Sequence, residues 1–215
     1  FNKKNILKFT KIKKCSFETL IAKSLIKENK VKGKIYLGDF LDIGSYESIK
    51  KSSSFIDKIF NKKKLLFLDR DNTLNIDKGY TYKINDLQLI EKNISAIKKK
   101  YDDYIKVIIS NQSGIGRGIF TLKKHKLFMN MLFKKLNKNN IFISRSYFCP
   151  FHKDAKIKKF KKQSKYRKPN TGMIQKALKE LDIKKSSNCL MIGDSIVDKK
   201  LAKNCKIKFI DQKIF

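Results

Sequence analysis

Two rhythms of apolar residues organise this chain. From Lys64 onward, short apolar runs alternate with stretches in which apolar residues return every three or four positions. The runs Leu65 to Leu68, Ile105 to Ile109, Ile141 to Phe148, Cys189 to Ile192 and Ile207 to Ile210 predict five buried strands. Between them, Ile90, Ile94, Ile97 and Tyr101 recur at steps of four, three and four, and Phe128, Met131, Leu132 and Leu136 repeat the helical spacing. A third helix is predicted after Pro169, with Met173, Ile174, Ala177, Leu178 and Leu181 on one face and Asn170 or Thr171 as its cap. Continuous apolar strands alternating with amphipathic helices predict an α/β fold with a doubly wound parallel sheet. Ligands in such a sheet bind beyond the carboxyl ends of the strands. Asp69 follows the first strand, Ser110 the second and Asp194 the fourth, so residues distant in sequence can meet at one pocket.

Residues 1 to 60 follow another pattern. Phe17, Leu20, Ile21 and Leu25 predict a helix, Lys34 to Leu37 a strand, and Gly38 to Gly44 a turn. The polar run Lys50 to Ser54 marks a boundary, and Ser54 to Asn61 a short linker helix. The expected organisation is an appendage over 1–60 and an α/β domain over 61–215. No apolar run approaches the roughly 18 residues a membrane span needs, and Phe1 to Lys14 carries no export signal. The first residue is not Met, which leaves room for a leader upstream. Cys15, Cys149, Cys189 and Cys205 are scattered with no C-x-x-C pair, as expected of reduced thiols in the cytoplasm.

The formal net charge is +33 over 215 residues. Charge of that size commonly marks nucleic-acid binding. Here lysine is spread along the whole chain amid abundant Asn, Ile and Phe, which reads as compositional background without a specific nucleic-acid site; it can still steer anionic substrates. A basic polyanion-binding protein with an idle enzyme fold remains an alternative. Against that background arginine is informative. Arg70, Arg117, Arg145 and Arg167 are the four in the chain, and arginine in place of lysine marks positions that need its planar fork.

Three of those arginines lie in segments that carry chemistry. Asp69-Arg70-Asp71-Asn72-Thr73 presents two carboxylates at a strand end. One can attack a phosphate ester to form an acyl phosphate, while Asp71 protonates the leaving oxygen and later deprotonates water. Repulsion between carboxylate and phosphate calls for a cation, and Mg²⁺ fits oxygen ligands shared with a phosphate. Gly193-Asp194-Ser195 supplies another carboxylate, Asp194, for that ion. Asp198 has two open readings: orientation of the metal shell or Lys168, or an ordinary first-turn helix acid. Ser110, Asn111 and Gln112, followed by the glycine-rich Ser113 to Gly118, offer a hydroxyl and amides to phosphoryl oxygens. Arg117 can grip a phosphate or sugar hydroxyl, and Arg167-Lys168-Pro169 adds a basic pair, with Lys168 facing the transferring group. His125, among helix lysines, reads as a surface residue.

Lys63 to Ile210 resembles the haloacid dehalogenase superfamily. The likeness is nearest to its histidinol-phosphatase and D-glycero-D-manno-heptose 1,7-bisphosphate phosphatase branch, through Leu68 to Asn75, Asp77 to Tyr80, Asn111 to Gly118, Arg167-Lys168-Pro169 and Gly172-Met173. The resemblance implies a Rossmann-like fold, Asp69 as nucleophile, Asp71 as acid/base, and Ser110 and Lys168 as phosphoryl clamps. It implies Mg²⁺ on Asp69, Asp194 and the main-chain carbonyl of Asp71. Thr73, Asn111, Gln112, Arg117 and Arg167 are the expected substrate contacts. The implied substrate is a small sugar phosphate, a heptose 1,7-bisphosphate cleaved at C7 on the way to nucleotide-activated heptose, with histidinol phosphate as the alternative.

Many members of that branch carry a zinc loop of the form Cys-x-His followed by Cys-x-Cys. Here Cys149 stands with Phe151 in the His position, and Ser164 and Tyr166 replace the paired cysteines; His152 offers at most a second ligand. Structural zinc needs four, so no zinc is expected. Gly38-Asp39-Phe40-Leu41-Asp42-Ile43-Gly44 resembles the tail of sugar-phosphate nucleotidyltransferases, with Asp42 matching a metal-holding aspartate there. No glycine-rich nucleotide loop precedes it. The likeness implies an associated or fused nucleotidyltransferase domain and favours the heptose substrate.

Overall fold

The computed structural model describes residue 9, 16–31, 42, 44–52, 64–183 and 188–214. The chain divides into two compact units, residues 1–40 and 41–215. In the first, a π-helical segment (Phe17–Ala22) runs into α1 (Lys23–Lys27), with Ile21 and Leu25 buried. The expected strand Lys34 to Leu37, most of the turn Gly38 to Gly44 and the linker helix Ser54 to Asn61 lie outside the described residues.

The second unit holds five parallel strands: β1 (Leu65–Leu68), β2 (Ile105–Asn111), β3 (Ile143–Cys149), β4 (Cys189–Gly193) and β5 (Lys208–Asp211), in the order β3-β2-β1-β4-β5. The helices are α2 (Glu91–Lys100), α3 (Ser113–Gly116), α4 (Leu122–Lys138), α5 (Gly172–Glu180) and α6 (Ile196–Asn204). Successive strand residues point to opposite faces. In β1, Leu66 and Leu68 pack with Ile94 and Ile97 of α2 and with Phe128, Leu132 and Leu136 of α4. Leu65 and Phe67 pack on the other side with Met173, Ile174 and Ala177 of α5 and with Leu201 and Ala202 of α6. Both faces are covered, which is why β1 reads as an unbroken apolar run. Removing a large side chain from either layer costs about 2–5 kcal/mol.

All five strand expectations are met to within two residues. The cap of α5 is different: Thr171 precedes the helix without a side-chain cap bond, and Asn170 Nδ2 donates to the Ser164 carbonyl instead. Helix α6, which the apolar spacing did not single out, begins with a reciprocal capping box between Ser195 and Asp198. His125 corrects the surface reading. It is 3% exposed on the inner face of α4, with its ring centroid 4.3 Å from that of Phe148 and 6.4 Å from that of Phe120. Among the described residues, no helix is long and apolar enough to cross a membrane.

Candidate active site

The strand order reverses at β1, which has β2 on one side and β4 on the other. The crevice beyond the carboxyl ends of these strands is the binding place of an open parallel sheet. Asp69 enters it directly from β1, its N–H donating to the Ile192 carbonyl at 3.0 Å. Arg70 N donates to Asp69 Oδ1 at 2.7 Å. Asp194 leaves β4 through Gly193. A Cβ at Gly193 would lie 2.6 Å from the Asp198 carboxylate, so glycine lets Asp198 close against the strand end.

Lys168 joins these acids. Its Nζ lies 2.8 Å from Asp69 Oδ1 and 2.7 Å from Asp198 Oδ1, with the lysine side chain only 3% exposed. The lysine is held by its own backbone: Asn111 Oδ1 accepts from Lys168 N at 3.0 Å, and Asn111 Nδ2 donates to the Lys168 carbonyl at 3.1 Å. The two readings of Asp198 coexist, since one carboxylate oxygen faces Lys168 and the other accepts from Ser195 Oγ at 2.6 Å.

Asp71 is braced from both sides. Arg70 Nε and Nη2 donate to its Oδ1 at 2.8 and 2.6 Å, and Gln112 Nε2 donates to Oδ2 at 2.8 Å. The same Gln112 nitrogen lies 2.7 Å from Ser110 Oγ, tying the end of β2 to the acid. Arg70 also donates to the Thr81 carbonyl at 3.0 Å and lies over the Phe128 ring at 4.8 Å. Arg70 was not among the expected site residues, although its place between the two aspartates in an arginine-poor chain was the available signal.

The expected substrate contacts are placed unevenly. Asn111 and Gln112 use their amides within the protein, as above. Thr73 is fully enclosed, and its Oγ1 has no hydrogen-bond partner. Arg117 and Arg167 are near enough for their charges to oppose one another, and Arg167 Nη1 donates to the Phe151 carbonyl at 3.3 Å. Arg167, Lys168, His152 and Lys162 line a recess of about 250 Å³. A larger hollow of about 700 Å³ lies beside the start of α5, and the lining of neither hollow includes Asp69, Asp71, Asp194 or Asp198.

Among the described residues, Asp69, Asp194 and Asp198 form the acidic group able to hold a metal ion, with ligand atoms within 4.8 Å of one another. Burial, opposed by Lys168 and reinforced by Asp198 and Asp71, pushes the Asp69 carboxyl above the ordinary carboxylate range. Burial and then Asp198 do the same to Asp194. Burial also disfavours the Lys168 ammonium, but Asp69 and Asp198 together outweigh it and hold Lys168 above its usual value. Three carboxylates around one ammonium leave negative charge uncompensated. A divalent cation with hard oxygen preference fits that donor set.

The sequence compares as follows. The family model described as polynucleotide kinase 3 phosphatase matches residues 64–213. Over 143 residues the chain is 39% identical to a D-glycero-beta-D-manno-heptose-1,7-bisphosphate 7-phosphatase from Photorhabdus laumondii, covering 66% of this chain and 76% of that relative. The enzyme of the same name from Pasteurella multocida is 37% identical over 147 residues, covering 68% and 79%. The chain belongs to the heptose-1,7-bisphosphate phosphatase family of the haloacid dehalogenase superfamily. Solved structures agree on the fold of this phosphatase. A HAD-like phosphatase from Mesorhizobium loti superposes with a TM-score of 0.63 at 27% identity, covering 67% of this chain and 69% of that one. The D,D-heptose 1,7-bisphosphate phosphatase of B. bronchiseptica, solved with magnesium and phosphate, gives 0.59 at 23% identity, covering 69% and 78%.

Proposed function

We propose that this phosphatase hydrolyses the C7 phosphate of D-glycero-D-manno-heptose 1,7-bisphosphate through a phosphorylated Asp69. The observation that carries the mechanism is the convergence of Asp69, Lys168 and the Asp194–Asp198 pair at the switch point of the sheet, with Asp71 braced beside them. The substrate rests on the names of the relatives at 37–39% identity.

Asp69 attacks phosphorus, and the bond to the sugar oxygen breaks as Asp71 gives that oxygen a proton. Asp71 then takes a proton from water, which attacks the acyl phosphate and frees Asp69. Lys168 and Ser110 hold phosphoryl oxygens, and the bonds from Asn111 to the Lys168 backbone set where that ammonium sits. Mg²⁺, held by Asp69, Asp194 and the Asp71 main-chain carbonyl, with Asp198 behind them, would neutralise the phosphate and the attacking carboxylate when bound. Arg117 and Arg167, whose charges oppose one another, supply positive charge for the rest of the sugar phosphate.

No zinc enters this reading. Cys149 is buried, its thiol pushed up by burial, and sits 3.9 Å from the Phe151 carbonyl, while Phe151 and Phe160 pack edge to face at 5.7 Å. The loop over 150–166 is held by that aromatic contact and by the packing of Ala155 and Phe160 with Ile115 and Phe120. The setting is cytoplasmic synthesis of surface-polysaccharide precursors, with the resemblance around Asp42 pointing to an associated nucleotidyltransferase domain.

The test is phosphate release from both anomers of heptose 1,7-bisphosphate and from histidinol phosphate, with Mg²⁺ or EDTA. Mg²⁺-dependent release from a heptose bisphosphate is expected. Preferential release from histidinol phosphate would keep the chemistry and overturn the substrate. Salt-sensitive binding to unrelated DNA without turnover would overturn both.

A further inference from the structure

Ser110 and Asn111 end β2, and Gln112 follows them with its backbone fixed on both sides. Its N–H donates to the Cys149 carbonyl at 2.8 Å, and its carbonyl accepts from Ile115 N at 3.2 Å. Gln112 and Ser110 are both buried. Gln112 Nε2 lies 2.8 Å from Asp71 Oδ2 and 2.7 Å from Ser110 Oγ.

The chemistry of the amide settles who donates in these two contacts. An ionised carboxylate only accepts, so the amide nitrogen and not its oxygen faces Asp71. That nitrogen carries two hydrogens and accepts nothing. One hydrogen goes to Asp71 Oδ2 and the other to Ser110 Oγ, so the serine oxygen is the acceptor and its own proton points elsewhere. Neither amide hydrogen remains for a substrate. On Asp71, Oδ1 takes Arg70 Nε and Nη2 at 2.8 and 2.6 Å, with Asn75 Nδ2 at 3.4 Å. Oδ2, with Gln112 on one lone pair, keeps the other to pass a proton.

We infer that Gln112 is a positioning residue whose amide nitrogen turns the Ser110 hydroxyl toward the phosphoryl group and holds Asp71 with Oδ2 as its working oxygen. This rests on the reading of Asp71 as acid/base and Ser110 as phosphoryl clamp. One side chain then aligns the group that holds the phosphate with the group that protonates the leaving oxygen. A donor oriented before the substrate arrives needs no reorganisation as charge develops.

The experiment is a double-mutant cycle of Gln112→Met and Ser110→Ala. It reads kcat and KM with Mg²⁺ on the better substrate of heptose 1,7-bisphosphate and histidinol phosphate, below the melting temperature of every variant. Methionine keeps the buried length and cannot donate. Gln112→Met is expected to lower kcat about tenfold or more with KM changed less than about threefold, and Ser110→Ala to lower it by about 10²–10³. The double variant is expected to fall short of the product of the two losses by about fivefold or more, because without the hydroxyl only the Asp71 half of the role is left to lose. Gln112→Glu keeps the shape but accepts from Ser110 Oγ and turns its proton away from the substrate. It is expected to lose more than Gln112→Met, and it takes that variant's place in the cycle should methionine prevent folding.

Losses that multiply overturn the inference, since Gln112 then acts independently of Ser110. A rise in KM at constant kcat overturns it in favour of a substrate contact. Wild-type kcat in Gln112→Met overturns it and leaves the phosphatase reading standing. Wild-type kcat in Ser110→Ala, or no phosphate release from either substrate by the wild type, overturns the reading of the site and the inference with it.

Discussion

Lys168 Nζ lies 2.7 Å from Asp198 Oδ1, and both side chains are enclosed. Asp198 also closes the capping box of α6 through Ser195. Asp198→Ala removes both interactions. Lys168 keeps Asp69 as a partner, so the loss falls short of a fully broken buried pair: about 3 kcal/mol of stability. Urea unfolding in EDTA measures it, and a change below about 0.5 kcal/mol, the scatter of ordinary surface substitutions, would contradict the arrangement. Asp198→Asn keeps the shape and is expected to fold better while still losing most phosphate release.

The fork of Arg70 aims Asp71. Arg70→Lys keeps the charge and gives up the paired donation from Nε and Nη2. General acid/base action is worth about 10²–10⁴, so a misdirected Asp71 is expected to lower kcat by tenfold or more while KM changes by less than about threefold. Steady-state kinetics on the best substrate decides this. A rise in KM at constant kcat would assign Arg70 to substrate binding instead.

His125 is neutral in the fold. Burial, and then the nearby Arg70 charge, lowers it from 6.5 to about 4. The unfolded chain therefore binds the extra proton between those values, and stability is lost as pH falls. The contribution is full above about pH 6.5 and gone below about pH 4, amounting to about 3 kcal/mol. His125→Phe is expected to flatten the decline in unfolding free energy across that window. An unchanged pH profile would show that His125 titrates alike in the folded and unfolded chain.

The fold was legible where one residue pattern had one physical cause. Leu65 to Leu68 could be assigned as a buried strand because both faces of the sheet are covered. His125 was misread from its lysine neighbours in sequence, although Phe128, Met129, Leu132 and Leu136 continue its helical stripe inward. Spacing on the helix outweighs neighbours along the chain. Helix α6 is short, and the charged residue on its buried side is Asp198, so apolar periodicity has little to register.

In the site, Asp69 and Asp194 were legible because each follows a strand end, and Lys168 because it stands in the Arg167-Lys168-Pro169 segment. The braces were not. That Asn111 would hold the Lys168 backbone, or Gln112 join Asp71 to Ser110, depends on contacts between segments far apart in sequence. Amide side chains look alike in sequence whether they face a ligand or the protein.

The central claim is that Asp69 carries the phosphoryl group. Acid-quenched enzyme, mixed with heptose 1,7-bisphosphate and Mg²⁺ and digested, is expected to give a phosphate adduct on the peptide containing Asp69. Asp69→Asn is expected to give neither adduct nor phosphate release. Sustained release by Asp69→Asn would contradict the account, because water would then be attacking phosphorus directly.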